Sequence, residues 1–70
     1  MFGVHYINRN GGVVSKATSE ADELAQAIVG ARKMIDNMRR IPAEPGRPHP
    51  EGFLIFDASG EQPLHREIMD

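Results

Sequence analysis

Apolar side chains fall at every second position near the start of this chain, at every third or fourth in its middle, and in an unbroken run towards its end. Phe2, Val4 and Tyr6 alternate with Gly3, His5 and Ile7, the period of a strand with two different faces. Asn8-Arg9-Asn10-Gly11-Gly12 follows, residues that tolerate the positive φ a tight hairpin loop requires. A shorter, more polar strand from Val13 to Ala17 completes a predicted hairpin over residues 2–17.

The pattern then changes period. Ala21, Leu24, Ile28, Ala31, Ile35 and Met38 draw one stripe along a helix expected over residues 19–41. Thr18 and Ser19 are N-cap candidates, and Glu20, Asp22 and Glu23 bring negative charge to the expected first turn. Arg32, Lys33, Arg39 and Arg40 complement the opposite pole. Gly30 costs about 1 kcal/mol against alanine in a helix interior, and its presence points to close packing on the sheet. Pro42 ends the helix by Ile41, because the residue before a proline disfavours helical geometry.

Prolines 42, 45, 48 and 50 make residues 42–52 an extended connection with little structure of its own. Pro42-Ala43-Glu44-Pro45 and Pro45-Gly46-Arg47-Pro48 also fit the P-x-x-P pattern of groove-docking peptides, but a crossover loop accounts for both. Phe53-Leu54-Ile55-Phe56 is an apolar strand, and Asp57-Ala58-Ser59-Gly60 has the composition of a tight turn. A returning strand with Leu64 and Ile68 on one face closes a second hairpin over residues 53–69. Pro63 cannot donate to a ladder, which sends this strand to an edge.

These elements predict an α+β domain of ββαββ order. Apolar strands belong at the centre of a sheet and polar or proline-bearing ones at its edges. The expected spatial order is therefore 2-1-3-4, antiparallel throughout, with the helix across one face. One helix covers one face only. Phe53 and Ile55 point one way, Leu54 and Phe56 the other, and Ile7 opposes Phe2, Val4 and Tyr6. Burying one such side chain is worth about 1.5–3 kcal/mol, so the second face is expected to be covered either by the long proline-rich loop or by a second subunit. The second subunit is favoured because exposed apolar patches mark interaction surfaces. The expected contact residues are His5, Ile7, Leu54 and Phe56, or Phe53 and Ile55 if the helix takes the other side.

At 70 residues the chain has room for one domain, 1–70, with a core near the lower limit of independent stability. It has no cysteine, which excludes disulfides and thiolate metal sites. A second subunit is the simplest remaining source of stability, so a homodimer or another protein is the expected partner. The net charge of −2 argues against a dedicated nucleic-acid binder. No apolar run approaches the length of a membrane span, and the start of the chain lacks signal-peptide features, so no membrane association and a cytoplasmic location are expected.

Candidate chemistry is sparse. His5, His49 and His65 are scattered and match no ligand spacing, so no metal and no cofactor are expected. Ser15, Ser19 and Ser59 have structural explanations, and Asp57 is explained by its turn rather than by pairing with Glu61 or Glu67. No catalytic residue is assigned, and the chain is not expected to be an enzyme. Arg32, Lys33, Arg39 and Arg40, with Arg47 beyond them, form the one basic cluster that offers phosphate contacts. Asp36 interrupts it and no aromatic residue interleaves with it.

Three stretches, Phe2-Gly3-Val4-His5-Tyr6, Ala21-Asp22-Glu23-Leu24-Ala25-Gln26-Ala27 and Phe53-Leu54-Ile55-Phe56-Asp57-Ala58-Ser59-Gly60, together resemble a family of small uncharacterised bacterial ββαββ proteins. That resemblance implies the layout above and brings no activity. The topology is also similar to that of antitoxin partners of small RNA-cleaving toxins, which set a helix beside a short antiparallel sheet. The sequence thus leads to a non-catalytic interaction module that self-associates through its open sheet face or an edge. The alternative is a nucleic-acid-associated or toxin-antagonist module using the basic helix end.

Overall fold

The computed structural model describes residues 1–46 and 48–69. Two strands, β1 (Phe2–Ile7) and β2 (Val13–Ser19), precede the helix α1 (Leu24–Arg39), and β3 (Gly52–Phe56) and β4 (Pro63–Ile68) follow it. They form one four-stranded sheet in the order β2-β1-β3-β4, every neighbouring pair antiparallel. The two most apolar strands hold the centre and the proline-bearing one an edge, the expected arrangement.

The hairpin loops are closed by their own side chains. Asn8 Oδ1 accepts from the backbone N–H of Asn10 at 3.0 Å and of Gly12 at 2.8 Å, while Gly11 takes φ of 90°. In the second hairpin Asp57 Oδ1 accepts from the N–H of Ser59 at 2.9 Å and of Gly60 at 3.2 Å, and from the Ser59 hydroxyl. These bonds, that of the hydroxyl first, hold the Asp57 carboxyl below the usual range. Gly60 has φ of 69°, so the glycine that closes the turn is required by backbone geometry.

The helix starts later than its sequence signals suggest. Thr18 and Ser19 belong to β2, paired with Gly3 and Phe2. Pairing with the start of β1 carries the strand past Ala17 as far as Ser19. Ser19 Oγ accepts from the Ala21 N–H at 3.3 Å, a local turn rather than a helix cap. Glu23 occupies the N-cap without a side-chain bond, and no acid lies in the first turn. At the other end Arg40 and Ile41 donate back to Asn37 and Met38, each at 3.2 Å, and tighten the helix to its close.

Val4 and Tyr6 from β1, Phe53 and Ile55 from β3, and Ala27, Ala31 and Ile35 from α1 make the core. Leu24, Ile28, Phe2, Ala21 and Met69 pack around it. Burial pushes the Tyr6 hydroxyl pKa above its usual value. Gly30 departs from expectation. It is exposed, and a Cβ built on it meets nothing within 4 Å, so no close packing explains it.

The proline-rich connection folds against the end of α1 and the start of β2. With Val14 and Met38 its residues line an open cavity of about 380 Å³. Arg47 lies outside the described residues.

Candidate interaction face of the sheet

Register assigns every strand residue to a face. Tyr6 pairs with Ser15 and Phe53, and Phe53 with Glu67. Val4 pairs with Ala17 and Ile55, and Ile55 with His65. These rows carry the core residues and so lie beneath the helix.

The helix side is sealed unequally. Towards β4, Arg32 grips Glu67 with two bonds, Nε to Oε2 at 2.6 Å and the second guanidinium nitrogen to Oε1 at 2.7 Å. His65 Nε2 lies 3.1 Å from the same Oε1, and its ring centroid is 5.7 Å from that of Phe53. A bidentate guanidinium–carboxylate pair is among the stronger surface contacts. The Arg32 bond, helped by His65, holds the Glu67 carboxyl down at about 2 against an opposing effect of burial, and Glu67 in turn raises Arg32. Towards β2 no such clasp is found among the described residues. A groove of about 190 Å³ remains, lined by Ala17, Ala27, Gly30, Ala31 and Met34 over Val4 and Tyr6.

The opposite face carries the other rows. Lys16, His5, Leu54 and Arg66 form one row across all four strands. Gly3 and Phe56 lie on one side of it, and Val13, Ile7, Gly52 and Ile68 make the row on the other side. Among the described residues no helix lies on this face. His5 and Phe56 set their ring centroids 4.5 Å apart at an interplanar angle of 48°. His5, Leu54 and Phe56 are each half-buried, and Leu64, beside them on β4, is 47% exposed.

Three of the four expected contact residues, His5, Leu54 and Phe56, are thus brought together and reach the surface. Ile7 is a correction. It is 0% exposed and cannot meet a partner. Its end of the face is closed from within the chain. Gly52 leaves the space beside Ile7 free, and Ile68 Cδ1 lies only 2.7 Å from where a Cβ on residue 52 would be. The adjoining backbone is tied as well: the Glu51 N–H donates to Ile7 O at 2.9 Å and the Met69 N–H to Glu51 O at 2.7 Å. Phe53 and Ile55, the contacts expected for the reversed orientation, are both 0% exposed beneath the helix.

The basic end of α1 is divided in its use. Arg32 is held by Glu67, and Arg39 donates to the Met69 carbonyl at 2.6 Å. Both arginines fasten the helix to the β4 side of the sheet. Lys33 and Arg40 are exposed. The histidines remain apart, with His5 on the open face and His65 under the helix. Among the described residues no three His, Asp or Glu side chains assemble a cation site.

Two features of this surface were not read from the sequence. The Arg32–Glu67 clasp was legible in principle, since alternation along β4 puts Glu67 with His65 on the side that faces α1. The closure over Gly52 had one signal, a glycine at the mouth of an apolar strand.

Fold and surface together define an α+β domain whose four-stranded antiparallel sheet is covered by a helix on one side and open over half of the other. Compared with family models, curated proteins and solved structures, the chain matches none. No helix among the described residues is long and apolar enough to cross a membrane.

Proposed function

We propose that this chain is a small non-catalytic, cytoplasmic interaction module that works by docking another polypeptide on the open face of its sheet. The observation that carries the reading is the cluster of Leu54, Phe56 and His5 on the two central strands, half-exposed with no helix above them. Central strands usually hold the best-covered side chains of a sheet, so apolar residues left accessible there favour a partner. A second copy of the chain and a different protein are the two occupants such a face accepts. The basic helix end contributes less to the reading, because Arg32 and Arg39 are engaged with Glu67 and Met69.

Light scattering combined with apolar-dye fluorescence tests it. A dimer, or a folded monomer that enhances the dye, is expected, with either property lost in Phe56→Ser and Leu54→Ser. A concentrated monomer with no dye response overturns it.

A further inference from the structure

The charges around the open face select between those occupants. Lys16 on β2 and Arg66 on β4 end the central row, both exposed, with His5 and Leu54 between them. None of the strand residues on this face is a carboxylate. The chain is nevertheless acidic overall, with ten Asp and Glu against eight Lys and Arg. Among the described residues the negative charge is kept to the loops, the helix and the covered side of the sheet. An apolar centre with a charged rim is the usual build of a protein-binding patch, and here the rim has one sign.

A second copy fits that rim poorly. In face-to-face packing about a two-fold axis along the strands, Lys16 of one copy lies over Arg66 of the other. With the axis across the strands at this row, each cation lies over its own counterpart. Either way like charges meet, and opposed like charges act against association.

The dimensions favour a helix. Neighbouring strands are spaced by about 4.8 Å, so β2 and β4 stand about 14 Å apart, and a helix with its side chains is about 10–12 Å across. Laid along the strands, an apolar stripe would cover Leu54 and Phe56 while its two flanks came over Lys16 and Arg66. We propose that the open face binds an amphipathic helix of a different protein, apolar on one stripe and acidic along both flanks. This rests on the open-face reading above and names its partner.

The test uses a fluorescein-labelled helical peptide of about five turns, with leucines along one stripe and glutamates on both flanks, and its lysine-flanked counterpart. Fluorescence anisotropy should show the glutamate peptide bound at least about tenfold more tightly than the lysine peptide, with an affinity that falls as salt rises. The double variant Lys16→Glu, Arg66→Glu should reverse that preference, a gain that an unfolded protein cannot give. Leu54→Ser should weaken binding of the preferred peptide to either protein. Preference for the lysine peptide, or tighter binding of an oligouridylate, overturns the proposal. A dimer that Leu54→Ser dissociates, with neither peptide bound, overturns the acidic helix but leaves the open face as the docking surface. A monomer that binds neither peptide and no dye removes both.

Discussion

The two sides of the sheet are drawn from the same strands and from similar residues, yet they end in different states. Under the helix, Phe53 and Ile55 are fully buried. One residue further along the same strand, Leu54 and Phe56 keep part of their surface in water. Hydrophobicity does not separate these two pairs. What separates them is the supply of cover, because the chain has one helix to give and a sheet has two sides. The uncovered side is closed at one end only, where Ile68 packs beside Gly52 and Ile7 has no exposed surface.

The sharpest way to break the comparison is to truncate one phenylalanine on each side. Phe53→Ala should cost about 3–5 kcal/mol, enough to unfold much of a domain this small. Phe56→Ala should cost about 1 kcal/mol, the scale of a partly exposed site. Urea midpoints at unchanged slope measure both, and equal losses would show that the two faces are equally closed. Gly52→Ala addresses the sealed end. A Cβ there falls 2.2 Å from the Glu67 carbonyl oxygen, and overpacking against backbone should cost about 1–3 kcal/mol. A neutral result would mean that Ile68 and β4 yield freely.

Smaller effects sharpen the helix side. Gly30→Ala should stabilise by about 0.5–1 kcal/mol, since the new methyl meets no atom and the helix loses a flexible residue. A loss would mean that the groove beside β2 needs that space. The clasp on the other flank should appear as a pH dependence. The folded-state pKa of Glu67, about 2, lies below its ordinary 4.5, so its stabilising contribution is complete above about 4.5 and fades as pH falls towards about 2. Urea midpoints of Glu67→Gln between those limits should slope less steeply than those of the parent, and parallel slopes would remove the clasp from the account. Because the Arg32 side chain is half exposed and water screens the pair, this is the smallest of the expected effects.

Much of the fold was legible from local pattern. Period two in β1, period 3.6 in α1 and the apolar run of β3 placed those elements, and the polarity of β2 together with Pro63 in β4 placed the edges. The errors lay at ends and on faces. Ser19 carries cap chemistry, yet its backbone pairs with Phe2 and the helix waits until Leu24. Ile7 alternates onto the open face as expected, yet it is 0% exposed. Arg32 and Arg39 looked like a phosphate-binding cluster, yet both reach back to the sheet. Ser19 meets Phe2 from the far end of the hairpin, and Arg32 and Arg39 meet groups 35 and 30 positions further along the chain.

The sequence by itself determined the elements, their order in the sheet and the presence of more apolar strand surface than one helix covers. These are consequences of periodicity and turn chemistry, and a few neighbouring residues suffice to express them. Only the tertiary structure decided which half of the second face stays open, which cations remain at its rim and which are spent holding the helix. Those outcomes depend on cross-strand register and on side chains meeting from distant parts of the chain, and no local pattern encodes such distances.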